Sequence, residues 1–427
     1  MTLMVLFGSF FGLLVFGVPV AFSLGLSSLA TVLWMDLPPL IVFQRMAAGM
    51  NVFALMAIPF FIYAGELMLH GGIADRMVRL ASAAIGHVRG GLGVMNVLAS
   101  MLFGGISGSA VADASALGST LIPMMRKRGY DDDYSVNVTV TSATIGLTVP
   151  PSHNMIIYSI AAGGTVSVAS LFLAGFIPGI LTGLCLMAAA YFIAVKRGYP
   201  AEKFPGWRAV AVSFFVALPG LFTAVIIVGG VLSGIFTATE SSAIAVIYAI
   251  LVTSLLYRSL SWEAFWTATL GAVKTTAIVL LVIGTAAAFG WLLAINQVPL
   301  KLFNLLSTLS DNPLVILLII NVILLFLGTF MDMSPLIVIT TPIFLPIVRD
   351  LGMDPVQFGI MLMINLGIGL VTPPVGSVLF VGCAVANIRI EDTLRTIWPF
   401  YLALVMALLL TTYIPAISMT LPRLFGI

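Results

Sequence analysis

Apolar residues run along this chain in long blocks, and the polar residues fall at a few repeated places. Blocks long enough to cross a bilayer, about 20 residues, occur near 3–33, 52–69, 168–195, 209–231, 236–257, 274–295 and 396–416. Residues 132–163 and 355–387 have similar character but are interrupted by GLTVPPS (Gly146 to Ser152) and GLVTPPVG (Gly369 to Gly376). Tandem prolines remove two backbone donors and push the preceding residue out of the α region. These two segments are expected to be broken helices with an unwound middle. Residues 92–125 and 313–348 are interrupted by GGISGSA (Gly104 to Ala110) and GTFMDMSP (Gly328 to Pro335), leaving flanks too short to cross. Short apolar arms around such a tip predict re-entrant helical hairpins, allowed at membrane depth only where protein or a watered cavity satisfies the backbone. Stretches at 38–50, 73–89, 261–273 and 298–310 carry charges on one face and read as interfacial amphipathic helices.

The pattern repeats. A shift of 223 residues puts Phe103 on Phe326, Gly105 on Gly328, Pro123 on Pro346, Gly146 on Gly369, Leu147 on Leu370, and Pro150 and Pro151 on Pro373 and Pro374. A shift of 225 extends the match backward, Ile58 to Ile283 and Gly65 to Gly290. Break-point residues sharing one offset mark a duplication. The first repeat is placed at 1–200, a joining span at 209–231 and the second repeat at 236–427, the longest polar linker running from Lys196 to Arg208.

Charge sets the expected sidedness. With the N-terminus cytoplasmic and nine crossings, 14 of the 18 Lys and Arg residues fall inside and only Arg45, Lys301, Arg349 and Arg423 fall outside. That satisfies the positive-inside rule. The C-terminus is then periplasmic, and the single joining span inverts the second repeat, so that one hairpin enters from each face. The expected fold is an all-α polytopic membrane protein with an inverted-topology repeat, two hairpins and two broken helices, an architecture of transporters.

Composition narrows the function. The chain has 427 residues, 61% hydrophobic and 8% charged, against about 25% charged in a globular domain. A net charge of +2 with no basic tract excludes nucleic acid as a partner. No GxxxxGK[ST] loop or HExxH stands in the sequence, so work must draw on gradients or partners. Cys185 and Cys383 lie in apolar runs and read as small buried hydrophobes. No enzyme activity and no cofactor is expected; membrane lipid is the solvent.

Hairpin tips and unwound helices meeting at the midplane offer helix N-termini to an anion, and free carbonyls with helix C-terminal ends to a cation. The anion is expected at Ser109, Asp113 and Ser115 after the first tip, Ser152, His153 and Asn154 after the first break, Ser334 after the second tip and Ser377 after the second break. A hard cation such as Na⁺ is expected near Gly105, Ser107, Gly146 and Val149, and near Gly328, Gly369, Thr372 and Val375. Ser334 before Pro335 and Thr372 before Pro373 equally fit helix capping, and His153 equally fits a satisfied core histidine. Acids at membrane depth are costly and usually functional. Asp332 is assigned to tip organisation or coupling, and Glu240 to coupling, although Glu240 and Asp113 in first turns also suit the helix dipole. No interior Lys or Arg stands as a carboxylate clamp, leaving that task to neutral donors and helix ends.

The strings GGISGSAVADASALGSTLIPMMRKRGY, GLTVPPSHN, GLVTPPVGSVLF, FTATESSAIAVIYA (236–249) and AIPFFIYAGELM (57–68) resemble the large membrane subunit of tripartite ATP-independent periplasmic (TRAP) transporters across essentially the whole chain. The resemblance implies an elevator-type transporter of the bacterial inner membrane, similar to the ion transporter superfamily and driven by a sodium gradient. It implies work with a small four-helix (DctQ-like) membrane subunit and a periplasmic (DctP-like) substrate-binding protein, each expected as a separate chain. Substrates in such families are organic acids: C4-dicarboxylates, sialic acid and sugar acids. The family's sodium sites carry over onto Ser107, Gly146, Val149 and Pro151, and onto Gly328, Gly369, Thr372 and Val375.

The expected function is sodium-driven uptake of an organic acid, with hairpins and broken helices forming a transport domain that slides against a scaffold of the remaining spans. The alternative is a stand-alone sodium-coupled anion symporter needing no binding protein. An intramembrane enzyme built on Ser152, His153 and Asp113 would leave the repeat unexplained, and a purely structural subunit would leave costly polar breaks without a ligand.

Overall fold

The computed structural model describes residues 1–201 and 203–427; Glu202, within the polar linker, lies outside the described residues. The chain is a multi-pass helical membrane protein. Helices long and apolar enough to cross include Phe53–His70, Val168–Lys196, Trp207–Leu232, Ala238–Leu256 and Trp262–Ile295. Trp398–Tyr413 and Pro415–Leu424 follow, bent by 59° where Pro415 forces Ile414 into an extended conformation.

Both tips and both breaks fall where the sequence is punctuated. The first hairpin is Gly91–Ser107 and Ala110–Lys127, turning at Gly108, whose φ of +62° suits glycine. The second is Pro313–Gly328 and Met333–Asp350. The first broken helix runs through Asp132–Ala143 and a short turn Thr144–Leu147, unwinds, and resumes as His153–Ala161. The second runs as Pro355–Leu370, unwinds, and resumes as Ser377–Ala386.

The far ends of these elements fix the topology. Arg126, at the base of the first hairpin, donates from Nη2 to Ala386 O at the end of the second broken helix, 2.7 Å away. Tyr158, near the end of the first broken helix, donates to Pro355 O beside the base of the second hairpin at 2.5 Å. Each broken helix thus begins at the base of its own hairpin and ends at the base of the other. The two bases lie at opposite ends of the crossing, and the hairpins enter from opposite faces.

Polar side chains join each hairpin to its broken helix inside the apolar interior. Asn96 Nδ2 donates to Thr139 Oγ1 at 2.7 Å, and Asn365 Nδ2 donates to Asn321 Oδ1 at 2.8 Å. The last span of each half packs on the same assembly. Gly175, Gly179 and Gly183 of Val168–Lys196 face Thr148, Val149 and Met101, where an added Cβ would come within 2.3, 2.5 and 2.4 Å. Small residues once per turn allow such close approach of helices in lipid. Tyr401 of Trp398–Tyr413 donates to Val371 O at 2.7 Å. These two spans, expected in the scaffold from sequence, lie against the hairpins and broken helices.

At the base of the first hairpin Arg197 donates to Asp131 and Asp133 at 2.9 Å each, and Tyr199 donates to Asp131 at 2.6 Å. Burial and the Asp131 contact push the Tyr199 hydroxyl up to about 12.

Three expectations change. The segment 3–33 is not one crossing but two short helices, Thr2–Val15 and Val20–Trp34, parted by Gly17 at φ +80° and Pro19. Phe7 and Phe10 meet Phe289 at 6.0 and 5.4 Å while Gly25 faces Thr285, one turn back on the same helix. The two legs therefore lie side by side as a hairpin, which returns Met1 to the side of Trp34 and removes the basis for a cytoplasmic N-terminus. Residues 261–273 form no separate surface helix but continue into the 34-residue Trp262–Ile295; no Pro or Gly cluster interrupts it. Leu40–Met50, Ile73–Ile85 and Val298–Leu309 do stand as separate short helices.

Candidate functional site

The unwound segments exist because prolines stop the helix, and their carbonyls are left without donors. Those of Thr148, Val149, Pro150 and Pro151 accept no hydrogen bond among the described residues, nor do those of Thr372, Pro373, Pro374 and Val375. Each segment meets the tip of its own hairpin at a crossing of two glycines. A Cβ on Gly104 would come within 2.4 Å of Gly146 Cα, and one on Gly328 within 3.1 Å of Gly369 Cα. Only glycine permits contact this close.

At the first crossing Gly105 lies against Pro150 O and Val149, and Gly108 against Pro151 O. Ser107 Oγ donates to Asp113 Oδ1 and accepts from Ser109 N at 3.2 Å. Asp113 is fully buried, and its Oδ2, directed at Gly146, has no partner. A buried carboxylate oxygen left unpartnered is costly. The sequence places Asp113 toward a bound anion; the structure seals it beneath the tip, facing the glycine crossing.

At the second crossing Val375 N donates to Thr329 O at 3.0 Å, tying break to tip. Thr372 Oγ1 turns back to Ile368 O at 2.7 Å, so Thr372 is no cap; the following helix starts after Gly376. Ser334 is no cap either, since Met333–Asp350 starts after Asp332. The two predicted cation sets are thus assembled as two separate junctions, Gly105, Ser107, Gly146, Val149 and Pro151 at one, Gly328, Gly369, Thr372 and Val375 at the other.

Between the tips lies a cavity of about 480 Å³. Ser107, Ser109, Ser115, His153, Asp332 and Ser334 line it from the hairpin side. A smaller space of about 60 Å³ continues it past Asn154, whose Oδ1 accepts from Ser334 Oγ at 3.4 Å. Both tips and the first break therefore reach one space, with the start of Ala110–Lys127 and that of Met333–Asp350 turned toward it. Helix starts of this kind favour an anion. Ser152 and Ser377 do not line it; each holds a buried hydroxyl without a partner. Glu240 lies elsewhere, in a capping box with Thr237, whose N and Oγ1 donate to it at 2.8 and 2.9 Å.

Sequence reading passed over Glu66 and Thr275, which line the opposite wall of the same cavity. Glu66 had a signal: an acid within the apolar run from Ala57 to Leu69, the criterion that picked out Asp113.

The profile described as "Tripartite ATP-independent periplasmic transporter, DctM component" matches residues 7–417. The sialic acid TRAP transporter large permease protein SiaM of Vibrio cholerae is 40% identical over 422 residues, 98% of each chain. The 2,3-diketo-L-gulonate TRAP transporter large permease protein YiaN of Escherichia coli K12 is 36% identical over 416 residues, 97% of each chain. Among solved structures, the YdaH transporter of Alcanivorax borkumensis aligns with a TM-score of 0.64 over 87% of both chains at 15% identity, a likeness of fold. Matched along nearly its whole length, this chain belongs to the family of large permease subunits, the DctM component, of tripartite ATP-independent periplasmic transporters, which carry out secondary transport of organic acids.

Proposed function

We propose that this chain takes up an organic acid, a sugar acid or C4-dicarboxylate, across the bacterial inner membrane at the expense of a sodium gradient. The supporting observation is the pairing of two cation-suited junctions with one anion-suited cavity. Na⁺ enters as a co-substrate: Asp113, Ser107 and the Val149 and Pro151 carbonyls would hold one ion, and the Thr372 and Val375 carbonyls a second. With both ions in place, the carboxylate docks between the two helix starts at Ser109 and Ser334. Each net charge carried inward gains about 2.3 kcal/mol per 100 mV.

Movement is of the elevator kind. The hairpins, the broken helices and the two spans packed on them, Val168–Lys196 and Trp398–Tyr413, slide as one body. Phe53–His70, Trp207–Leu232, Ala238–Leu256 and Trp262–Ile295 stay in place. A small membrane subunit and a periplasmic binding protein complete the system, the latter delivering substrate. The positive-inside rule supports a cytoplasmic base for the first hairpin and a periplasmic Arg45. On that reading Met1, on the Trp34 side of the N-terminal hairpin, lies in the periplasm with the C-terminus.

The test is uptake into proteoliposomes holding all three proteins, with a family substrate and its binding protein. Accumulation should follow the sodium gradient and rise with inside-negative voltage. Accumulation that persists with the sodium gradient abolished and no other ion gradient present overturns the proposal.

A further inference from the structure

The cavity between the tips has two unlike walls. The hairpin side supplies hydroxyls, His153 and Asp332; the other side, from Phe53–His70 and Trp262–Ile295, supplies Ile62, Leu69, Ile278 and Val279 with Glu66 and Thr275 set among them. Among the described residues no Lys or Arg lines the cavity, and Glu66 is the one ionisable residue lining that wall, in a helix whose inner face is apolar: Ile62, Ala64, Gly65, Leu67 and Met68 are buried.

Its surroundings leave the carboxylate open. His70 Nδ1 donates to the Glu66 main-chain oxygen at 3.0 Å and lies 3.6 Å from Oε2. Among the described residues no donor hydrogen-bonds the carboxylate itself. Gly271 lies opposite, where an added Cβ would come 3.2 Å from Oε2; the absence of a side chain there makes room for the carboxylate of Glu66, which lines the cavity. The Glu66 side chain is 21% exposed. An acid at membrane depth is costly, and His70, 3.6 Å away, stands near this half-buried carboxylate.

We infer that Glu66 is a specificity residue: on the stationary wall it accepts hydrogen bonds from donor groups, hydroxyl or ammonium, at the end of the substrate away from its carboxylate. This rests on the transport reading above and deepens it. The helix starts at Ser109 and Ser334 take the single carboxylate. The far end then meets Glu66, with no lining cation among the described residues. A second carboxylate there would face like charge, which costs more as the site loses water; a hydroxylated tail supplies the missing donors. The site selects hydroxylated monoacids over unadorned diacids of the same length.

The experiment is calorimetric binding to the purified full chain in nanodiscs at saturating sodium, with gluconate and adipate as six-carbon probes. Wild type should bind gluconate at least tenfold more tightly than adipate. Glu66→Ala should bring that ratio to near one, chiefly by weakening gluconate, and Glu66→Gln, which removes the charge but keeps an acceptor, should tighten adipate while retaining most gluconate affinity. Sodium binding measured alone in both variants checks that the fold is intact. A wild-type preference for adipate, or an unchanged ratio in Glu66→Ala with sodium binding intact, overturns the assignment of Glu66. If neither acid binds the wild-type chain in sodium, the organic-acid reading itself fails, and Glu66 with it.

Discussion

Around Gly104 and Gly146 the first half sets the Asp113 carboxylate; in the second half no carboxylate contacts Gly328 or Gly369 among the described residues, and the tip acid Asp332 lines the cavity. The residues 223 positions beyond Ser107 and Asp113 are Phe330, 47% exposed, and Leu336, 1% exposed. The first unwound segment is buried around Pro150 to Ser152, while Pro374 and Val375 of the second are exposed. The two junctions therefore share a backbone frame and differ in charge and enclosure. Glycine and proline positions hold the frame, because the close crossing and the unwinding both fail without them. Side chains around it are free to differ, so Asp113 adds a carboxylate to the junction of one half, and in the proposed function the cation of the other half would be met by carbonyl dipoles alone.

The largest effect that would sharpen this contrast is steric. Gly104→Ala, with its Cβ 2.4 Å from Gly146, should abolish uptake and cost about 3 kcal/mol of stability, and Gly328→Ala, at 3.1 Å, about 1 kcal/mol. Thermal unfolding in detergent measures both; equal losses would break the comparison. Next comes charge. Asp113→Asn should raise the sodium concentration for half-maximal uptake by about tenfold or more, as expected for losing a charged ligand, while Thr372→Val should shift it by about threefold. Sodium titration of initial rates decides, and a larger shift from Thr372→Val would reverse the assignment of the stronger site.

Ser107→Ala leaves Asp113 without its donor and should destabilise by about 1–2 kcal/mol, seen as a lower unfolding temperature and weaker sodium activation together. The smallest effect lies at the hairpin bases, where the first is clamped by ion pairs and the second by hydrogen bonds, Asp354 capping Val356 N at 2.8 Å and Tyr158 donating to Pro355 O. The Tyr199 hydroxyl, pushed up from its ordinary value to about 12, keeps its proton longer in the folded chain. Its contribution is complete below about pH 10 and is lost as pH rises through 12. Stability measured across that window should fall in wild type and fall less in Tyr199→Phe.

Much of the frame was legible because punctuation residues act locally. Pro150, Pro151, Pro373 and Pro374 stop a helix whatever surrounds them, and Gly108 turns a tip without help. What composition hides is direction. Residues 3–33 are apolar enough to cross, and only Gly17 and Pro19 hint that the segment doubles back. Trp262 and Glu263 look like a membrane surface yet begin a helix that runs on through the interior. Within the site, Ser109, Ser115, His153, Asn154 and Ser334 reach the shared space as their spacing implies. Asp113 does not, since whether an acid points outward from a tip or inward beneath it depends on where the opposing helix lies. Ser152, Ser377 and Glu240 fall away for the same reason: position along the chain does not tell which neighbour a side chain meets.

The contacts from Arg126 to Ala386 and from Tyr158 to Pro355 carry a mechanical consequence. Each interrupted helix is anchored at its far tip to machinery belonging to the other copy, so a pull at either glycine crossing is transmitted to the opposite surface of the bilayer. Neither copy can swing alone. In the proposed cycle, loading with ions and exposure to one compartment or the other would thereby be geared together, and severing one anchor should leave binding intact while letting the two copies slip out of step.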